Sequence, residues 1–357
     1  MCTPEGTATA QVKGKVKIVL RNWTSHELAA LLAPHGFTAR AARLLHQAAV
    51  RTGDYPPPGD DLSARTLDRL RACTTLPRLE LAGQTESRTD GFVKFLFRGD
   101  GPDPFEAVRI PLLHRASDPK YVVCVSSQVG CGLGCAFCAT GRMGFRRDLS
   151  TWEIVDQVAQ IRAVSPHPVR GVVFMGMGEP MLNYDAVLRA ADILSEPCGL
   201  AIPKEAITIS TAGIVAGIRR FTAERRACRL VVSLNTADPV RRRELMPVEA
   251  GNPTPELMAA LREYHAATGE RVILAWTMIA GVNTDEAAAC ALADLTRGLP
   301  VKLDLIDAND ATGRFPPPSP AELSAFRDAL RRHLGMPVAR RYSGGRDIQA
   351  ACGMLCG

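Results

Sequence analysis

Short runs of β-branched and other apolar residues alternate with segments of helical periodicity along the chain from about Val122 onward. Such runs are typical of buried strands, and the segments between them are long enough to be crossover helices. Six strands, each followed by a helical segment, predict an α/β fold with a parallel sheet built from βα units. The six predicted strands are YVVCVSS, GVVFMG, AITIST, RLVVSLN, VILAWTMI and VKLDLI.

Two of the intervening helices have recognisable starts. The Ser-Thr-Trp-Glu sequence at 150–153 is spaced as a capping box and predicts a helix that runs to about Val164. The Ser-Pro-Ala-Glu sequence at 319–322 predicts another helix, which ends near Gly335. In a fold of this class, functional residues lie at the carboxyl ends of the strands and in the loops that follow them.

Residues 1–115 have a different pattern and predict an accessory module. The segment 25–51 predicts a pair of short helices, and LSARTLDRLRAC predicts a third. The segment 77–100 predicts strands on either side of an Asp90-Gly91 turn. We therefore divide the chain into an N-terminal helical accessory domain (1–75), a small β extension (76–116), a core (117–348) and a C-terminal segment (349–357).

The composition is that of a globular protein. Of the 357 residues, 46% are hydrophobic and 22% are charged, which allows a sizeable core. The N-terminal residues do not have the apolar stretch of a secretory signal. The longest apolar run, Val272 to Val282, is shorter than the roughly 20 residues that a membrane helix needs. We expect a cytoplasmic protein with no membrane association.

The net charge of +6 is mild, but the arginines are unevenly distributed. Arginine clusters can neutralise the phosphates of a nucleic acid, although on charge alone a solvated helix face is the simpler explanation. Charge therefore permits a nucleic-acid partner without requiring one. The clusters lie at 219–229, 241–243 and 339–346.

Four cysteines, Cys124, Cys131, Cys135 and Cys138, occur within fifteen residues. The last three form a C-x3-C-x2-C run directly after the first predicted strand of the core. A structural zinc site needs four ligands, usually as two C-x2-C-type pairs, and no second pair follows at a suitable distance. Thiolates also hold iron–sulfur clusters, which are the better match to this spacing.

The C-x3-C-x2-C run resembles the motif of the radical S-adenosylmethionine (SAM) superfamily. The resemblance implies a partial (β/α)6 TIM-like barrel in which Cys131, Cys135 and Cys138 hold a [4Fe-4S] cluster. The amine and carboxylate of SAM would then chelate the remaining iron.

The segment FMGMGEP (174–180) resembles the Gly-Glu-Pro motif of the same superfamily, which meets the amino group of the bound cofactor. Several polar residues follow at the ends of later strands, and a helix cap explains each of the serines equally well when it is considered alone. The residues expected to bind the cofactor are Gly178, Glu179, Ser210, Ser233, Leu234, Asn235 and Asn309.

Three longer motifs together resemble the RlmN and Cfr family: YVVCVSSQVGCGLGCAFCATGRMGF, MGMGEPMLNYDAVL and DIQAACGML. Its members are radical methyltransferases that act on an adenine of large-subunit ribosomal RNA and, for RlmN, also of transfer RNA. The resemblance runs from about Gly91 to the end of the chain and extends weakly to the N-terminal helices, which are similar to the family's RNA-binding appendage. It implies an RNA partner and an electron donor such as flavodoxin or ferredoxin.

The same resemblance implies catalytic roles for three residues. Cys352, in AACG, would carry a methyl group, from which a SAM-derived radical removes a hydrogen so that the methylene radical adds to adenine. Cys124 would release the resulting crosslink by forming a disulfide, and Glu106 would accept a ring proton. Considered alone, Cys124 is a small buried hydrophobe and Glu106 an ordinary strand residue. Cys356 is the alternative to Cys352 as the methyl carrier.

Three segments depart from the family's usual pattern. Asn235 stands after Ser-Leu where the family usually has a histidine. The usual LIPxNP becomes LIDAND, with Asp307 in place of the first proline. The usual RGxDIxAACGQL becomes GGRDIQAACGML. Asn235 and Asp307 would lie near the cofactor or the target base. We expect 2-methyladenosine as the product, with methylation at C8, as in Cfr, as the alternative.

Two further alternatives come from other functional classes. A radical SAM enzyme that abstracts hydrogen from a small molecule or peptide would leave Cys124, Cys352 and Glu106 without roles. A zinc-stapled RNA-binding protein would be colourless, whereas an iron–sulfur cluster makes a protein brown when it is purified anaerobically.

Overall fold

The computed structural model describes residues 9–12, 15–112, 118–335 and 338–356. The three helices predicted near the N-terminus are present, and a small sheet that the pattern does not predict packs beside them. Its strands are two to five residues long, and two of them pair across more than fifty residues of chain, which no local pattern can indicate. These elements are β1 (Thr9–Val12), β2 (Lys15–Val19), α1 (Ser25–Leu32), α2 (Ala39–Arg51), α3 (Ala64–Cys73) and β3 (Thr74–Thr75).

Side-chain caps fix the starts of these three helices. Thr24 and Glu27 form a capping box, in which the backbone N–H of Glu27 donates to Thr24 Oγ1 and the backbone N–H of Thr24 donates to the Glu27 carboxylate. Thr38 and Ser63 cap α2 and α3. The leucines on the inner faces of the helices then form a core separate from that of the main sheet, including Leu28, Leu32, Leu45, Leu67 and Leu70.

The predicted strands around the Asp90-Gly91 turn are also present. Gly91 has a φ of 72°, a conformation that glycine adopts without strain. The extension is an antiparallel meander of β4 (Glu80–Glu86), β5 (Val93–Arg98) and β6 (Phe105–Leu112). The predicted boundary between extension and core, at 116/117, lies outside the described residues.

The core contains all six predicted strands. In chain order its elements are β7 (Lys120–Cys124), β8 (Gln128–Gly130), α4 (Ala139–Met143), β9 (Phe145–Asp148), α5 (Thr151–Ala163), β10 (Val169–Phe174), α6 (Tyr184–Ser195), β11 (Ile207–Thr211), α7 (Val215–Ala223), β12 (Arg229–Ser233), α8 (Pro239–Leu245), α9 (Thr254–Thr268), β13 (Val272–Met278), α10 (Glu286–Leu295), β14 (Val301–Asp307), α11 (Pro320–Leu334) and β15 (Ala339–Arg340).

One ten-stranded sheet joins the core to the extension, in the order β15-β14-β13-β12-β11-β10-β7-β6-β5-β4. The six predicted strands are neighbours and parallel, so the predicted α/β class is confirmed. β6 pairs antiparallel with β7, and the extension therefore continues the core sheet. Within the described residues β15 and β4 remain the two ends, so the sheet does not close on itself. The carboxyl ends of the parallel strands consequently meet at one edge.

The two predicted helix starts are present, but they differ in detail. Residues 150–153 form a complete capping box at the start of α5. At α11, Ser319 accepts the backbone N–H of Glu322, but the Glu322 carboxylate accepts the N–H of Gly281 instead of completing the box. The loop after β13 lies close enough to compete for that carboxylate. The second capping box is therefore only half formed.

A buried ion pair fastens the N-terminal part to the core. Arg21 and Asp156 are both almost fully buried, and the Arg21 guanidinium contacts the Asp156 carboxylate. The other carboxylate oxygen accepts the backbone N–H of Leu79 at 2.7 Å, and Arg21 Nε donates to the Ala49 carbonyl at 2.8 Å. One side-chain pair thus connects α2, the start of the extension and α5.

Among the helices in the described ranges, none combines the length and the apolar character needed to cross a membrane.

Candidate active site

The three cysteines of the C-x3-C-x2-C run lie in one loop between β8 and α4, which we call the cysteine loop. The strands β8 and β9 pair on either side of this loop and close it at its base. At the pairing point Gly130 has a φ of 72°, and a Cβ there would lie 1.9 Å from the carbonyl oxygen of Gly144. Only glycine allows the two strands to approach so closely. Within the loop, the backbone N–H of Cys138 donates to the carbonyl of Cys135 at 3.1 Å.

The environment of these thiols suits a metal cluster. Burial raises the pKa of Cys131 to about 11, and burial together with Cys138 and Cys131 raises that of Cys135. Three thiols on one loop fit a [4Fe-4S] cluster that leaves one iron free of protein ligands. All ten described cysteines are free thiols.

The loop after β10 packs directly on β8. Gly178 has a φ of 99°, and a Cβ there would lie 2.5 Å from the Cβ of Gln128. The buried Glu179 carboxylate accepts the backbone N–H groups of Met181 at 2.9 Å and Ala212 at 2.7 Å. Burial raises the pKa of Glu179, and these two hydrogen bonds oppose that shift without reversing it. The Glu179 side chain thus ties this loop to the end of β11, which leaves the backbone of the loop for contact with a bound molecule.

The predicted cofactor residues on β11 and β12 occupy different environments. Ser210 and Ser233 are half-buried at or near the carboxyl ends of their strands, whereas the Leu234 side chain is fully buried. Asn235 has a φ of 62°, its Oδ1 accepts the backbone N–H of Thr277 at 2.7 Å, and its side chain is 1% exposed. The Leu234 and Asn235 side chains are therefore structural, and these two residues can reach a cofactor only through their backbone.

Asn309, after β14, has an amide with one unsatisfied atom. Its Nδ2 donates to the Asp307 carbonyl at 2.9 Å and to Ser343 Oγ at 2.7 Å. Its Oδ1 is buried without a hydrogen-bond partner among the described residues. A buried acceptor left in this way is costly unless a bound molecule supplies a donor. The residues present therefore fit a cofactor with hydrogen-bond donors at this edge of the sheet.

Cys124 and Cys352 are brought together although 228 positions separate them in the sequence. Burial raises the pKa of Cys124, and the neighbouring Cys352 raises it further. Burial likewise raises the pKa of Cys352, Arg341 lowers it, and Cys138 raises it. The Cys352 side chain is nevertheless accessible to solvent. Cys352 is therefore the exposed member of this pair of neighbouring thiols, and a second molecule can approach it.

Glu106 lies on the same face of the sheet as Cys124. Val108 of β6 is paired with both Lys94 of β5 and Cys124 of β7, and Glu106 is two residues before Val108. Glu106 is therefore a diagonal neighbour of Lys94 and of Cys124. Lys94 Nζ lies 2.9 Å from Glu106 Oε1, and the backbone N–H of Cys356 donates to Oε2 at 2.9 Å. The carboxylate thus has a fixed orientation beside the C-terminal segment.

The C-terminal segment is fastened at several points to the cysteine loop. The backbone N–H of Ala139 donates to the Gly353 carbonyl at 2.7 Å, and Thr140 Oγ1 donates to the Leu355 carbonyl at 2.6 Å. Asn309 Nδ2 approaches the Cys352 carbonyl at 3.4 Å. These contacts place Cys352 between the cysteine loop and the carboxyl ends of the strands, and they leave Cys356 beside Glu106.

The sequence analysis missed two residues of this site, because the signal of each in the sequence is weak. Lys94 is a single charge in the apolar strand FVKFLF, which is a weak sign of an inward-facing partner. Arg341 appears in the sequence only as part of an arginine cluster, yet it lowers the pKa of both Cys124 and Cys352. Both become evident only when distant strands and the C-terminal segment are placed together.

Known proteins resemble this chain over nearly its whole length. The family model of the radical SAM superfamily, whose enzymes use a [4Fe-4S] cluster and SAM, matches residues 125–292. A probable RNA methyltransferase of Myxococcus xanthus is 48% identical, over 94% of this chain and 93% of the relative. The dual-specificity RNA methyltransferase RlmN of Syntrophobacter fumaroxidans is 43% identical, over 76% of this chain and 78% of the relative.

A solved structure gives the same result. The radical SAM methyltransferase of Sphaerobacter thermophilus superposes with a TM-score of 0.85 at 35% identity, over 94% of this chain and 98% of that one. The radical SAM fold inferred from the cysteine motif is thereby confirmed, as are the [4Fe-4S] and SAM cofactors that the superfamily uses. The chain belongs to the RlmN-type family of radical SAM RNA methyltransferases.

Proposed function

We propose that the enzyme methylates C2 of an adenine in large-subunit ribosomal RNA, with transfer RNA as a second substrate, through a methyl group carried on Cys352. The observation that carries this proposal is the proximity of Cys352 to Cys124 and to Cys138 of the cysteine loop, next to a fixed Glu106. The Syntrophobacter fumaroxidans relative is named a dual-specificity RNA methyltransferase, which supports an RNA target of more than one kind.

The cofactors would be held by the residues predicted for them. Cys131, Cys135 and Cys138 would hold the [4Fe-4S] cluster. SAM would lie against the backbone of the loop with Gly178 and Glu179, near Ser210, Ser233, the Leu234 and Asn235 backbone, and the unsatisfied oxygen of Asn309. One SAM molecule would supply the methyl group to the Cys352 thiolate, and the cluster with a second SAM molecule would supply the means to remove a hydrogen atom from that methyl group. A flavodoxin or ferredoxin is the proposed electron donor.

The protein's own residues perform the transfer. After hydrogen removal, the methylene radical on Cys352 Sγ adds to the adenine carbon. The adduct then loses one electron, for which the oxidised [4Fe-4S] cluster would be the acceptor, and one proton, which Glu106 accepts. Cys124 Sγ then attacks Cys352 Sγ, so that an S–S bond forms and the S–C bond breaks. The carbon takes up the bonding pair and a proton to become the methyl group. A thiol reductant must open the disulfide before another turnover.

Arg341 supports the disulfide step. Its guanidinium lowers the pKa of both Cys124 and Cys352, which favours the Cys352 thiolate that takes up the methyl group and the Cys124 thiolate that attacks Cys352 Sγ. Burial opposes this effect, and the pKa of Cys124 remains above that of a free thiol. Such a thiol does not react prematurely with external disulfides.

The accessory domain, which we assign to residues 1–75, would hold the RNA, and the extension at 76–116 would carry Glu106. Exposed arginines on α2 and α3, including Arg40, Arg43, Arg65 and Arg69, support phosphate contacts by this part of the chain. Tyr342, 67% exposed beside the C-terminal segment, offers a ring on which a base can stack. A ribosomal substrate implies a cytoplasmic enzyme.

The experiment that tests the proposal is mass spectrometry of the purified Cys124→Ala protein. Spectra are recorded before and after the protein is treated with ribonuclease. Without Cys124 the crosslink cannot be released, so Cys352 should carry a nucleotide adduct whose attached RNA identifies the substrate. Fragmentation of the modified adenine distinguishes C2 from C8. Cys228→Ala, which removes a buried thiol at the start of β12, is the matched control and should carry no adduct.

Two outcomes would contradict this assignment. An adduct on Cys356 would identify Cys356, and not Cys352, as the methyl carrier. If Cys352 carries neither an adduct nor a methyl group, the methyl-carrier mechanism is wrong, and a radical SAM enzyme that acts on a small molecule or peptide becomes the better explanation.

A further inference from the structure

A histidine with no hydrogen-bond partner is buried where the N-terminal helices meet the core. His46, in α2, is 0% exposed, and neither of its ring nitrogens has a hydrogen-bond partner among the described residues. A buried imidazole normally satisfies at least one nitrogen, because leaving both unpaired costs free energy. Its Nε2 faces Glu196 Oε2 at 3.6 Å, which is too long for a hydrogen bond.

Two further donor atoms converge on the same point. Cys198 Sγ lies 3.2 Å from Glu196 Oε2, and the donor atoms of His46, Glu196 and Cys198 all lie within 4.8 Å of one another. Tetrahedral zinc bound by nitrogen, oxygen and sulfur has neighbouring ligands about 3.3–3.7 Å apart. The distances from Glu196 to both partners are close to this range. A nitrogen, an oxygen and a sulfur donor together are also a ligand set that zinc accepts.

We propose that His46, Glu196 and Cys198 bind one Zn²⁺ ion, with water as the fourth ligand. Glu196 borders an open cleft of about 460 Å³ that is also lined by Thr24, Asp192 and Ser195, and water can reach the ion through this cleft. This site shares no residue with the cysteine loop or with the proposed methyl-transfer residues.

The protein already orients the carboxylate for this role. The backbone N–H of Ser25, in the first turn of α1, donates to Glu196 Oε1 at 2.9 Å and leaves Oε2 towards His46 and Cys198. A thiolate, a carboxylate and Zn²⁺ sum to zero charge, so the occupied site does not bury a net charge. Binding releases the thiol proton of Cys198 to solvent, and no electron transfer is involved.

The ion would tie the N-terminal helices to the core. Arg51, five residues after His46 on α2, donates from Nε to the Gly199 carbonyl at 2.7 Å and from Nη2 to the Pro197 carbonyl at 2.9 Å. The loop that carries Glu196 and Cys198 is therefore already held against α2. Metal coordination would add a tie at the point where the two parts of the chain meet.

The test measures metal binding directly and does not depend on methyltransferase activity. Because the cysteine loop can itself take up zinc when its cluster is lost, the reference protein is the full chain with Cys131, Cys135 and Cys138 all changed to Ala. After dialysis against Zn²⁺ and gel filtration, this protein should retain about one zinc ion per chain by elemental analysis. Added Co²⁺ should give the near-ultraviolet absorption of a thiolate bound to cobalt.

In that reference protein, Cys198→Ser should abolish the thiolate–cobalt absorption, and His46→Ala should lose most of the retained zinc. Cys290→Ser, which removes an exposed thiol from α10, is the matched control and should change neither signal. Circular dichroism verifies that each variant is folded. If His46→Ala does not fold, the test rests on Cys198→Ser alone. Absence of bound zinc in the reference protein, or an unchanged cobalt spectrum in Cys198→Ser, would overturn the proposal.

Discussion

Lys94 Nζ lies 2.9 Å from Glu106 Oε1, with only 16% of the Lys94 side chain and 5% of the Glu106 side chain exposed. The pair spans β5 and β6 on the sheet face that Cys124 shares. A hydrogen bond from the backbone of Cys356 holds the second carboxylate oxygen. The rigid sheet and the C-terminal segment therefore fix the one carboxylate that the proposed chemistry uses as a proton acceptor.

Replacing Lys94 should slow methyl transfer without removing the cluster. A hydrogen bond to a charged group contributes about 1.5–3 kcal/mol, and Lys94→Met removes one from the Glu106 carboxylate. We expect kcat to fall about 10- to 100-fold, and Glu106→Gln to lower it about 10²- to 10⁴-fold. The measurement is the initial rate of adenine methylation on a ribosomal RNA fragment, with iron content measured in parallel.

Lys120→Met is the matched control for Lys94→Met, since Lys120 lies in neighbouring β7 and pairs with the exposed Asp118. It should retain the wild-type rate. A Lys94→Met enzyme as fast as this control would show that the orientation of Glu106 does not depend on Lys94.

Asp90 should act as a latch for the segment that leads to Cys352. Its Oδ2 accepts the Tyr342 hydroxyl at 3.0 Å and the backbone N–H of Gly345 at 2.8 Å. We expect Asp90→Ala to free this segment, so that trypsin cleaves faster at Arg340 and Arg346 and kcat falls. Limited proteolysis followed by mass spectrometry measures the effect.

Asp103→Ala removes an exposed carboxylate from the loop before β6 and is the control for the Asp90 latch. Its cleavage pattern should match the wild type. Equal rates of cleavage in Asp90→Ala and Asp103→Ala would mean that other contacts are sufficient to hold the segment.

The buried pair of Arg21 and Asp156 should be important for stability. Asp156→Ala leaves the Arg21 guanidinium buried without its counter-charge, and breaking a buried pair in this way costs about 3–5 kcal/mol. Asp68→Ala, which breaks the exposed Arg71–Asp68 pair, should cost less than about 1 kcal/mol. Anaerobic urea unfolding followed by circular dichroism compares the two, and similar midpoints would contradict the expected difference.

Loss of a thiol from the cysteine loop should remove the iron. Cys138→Ala, purified anaerobically, should have low iron content, lack the brown colour and fail to cleave SAM reductively, because a cluster with two protein ligands is poorly held. Cys228→Ala should retain all three properties. A brown, iron-rich Cys138→Ala protein would remove Cys138 from the ligand set.

The parallel sheet could be predicted because each of its six predicted strands is a short run rich in β-branched and other apolar residues, and helical segments separate these runs. The sheet β1-β2-β3 could not, because β3 has two residues and its pairing with β2 depends on tertiary contacts. The half-formed capping box of α11 has a similar cause, since Glu322 has a competing partner, Gly281, that is distant in sequence.

The departures from the family pattern also become intelligible in three dimensions. Asp307 replaces a proline, and its carboxylate lies 3.2 Å from Arg346, in the segment that lacks the family's leading arginine. Arg340 pairs with the same carboxylate. An aspartate of LIDAND and an arginine of GGRDIQAACGML are thus ion-pair partners, which neither motif indicates separately. Asn235 adopts a left-handed conformation that asparagine tolerates better than most residues, and its amide joins β12 to β13.

The sequence by itself determined the α/β fold, the cysteine loop and the family, because apolar periodicity and motif spacing are local properties of the chain. Only the tertiary structure decided which side chains meet. Lys94 with Glu106, Arg341 with the two distant thiols, and His46 with Glu196 and Cys198 are each brought together by strand register or by docking of separate segments. Each of these contacts joins residues that are far apart in the sequence, so local patterns in the sequence do not indicate them.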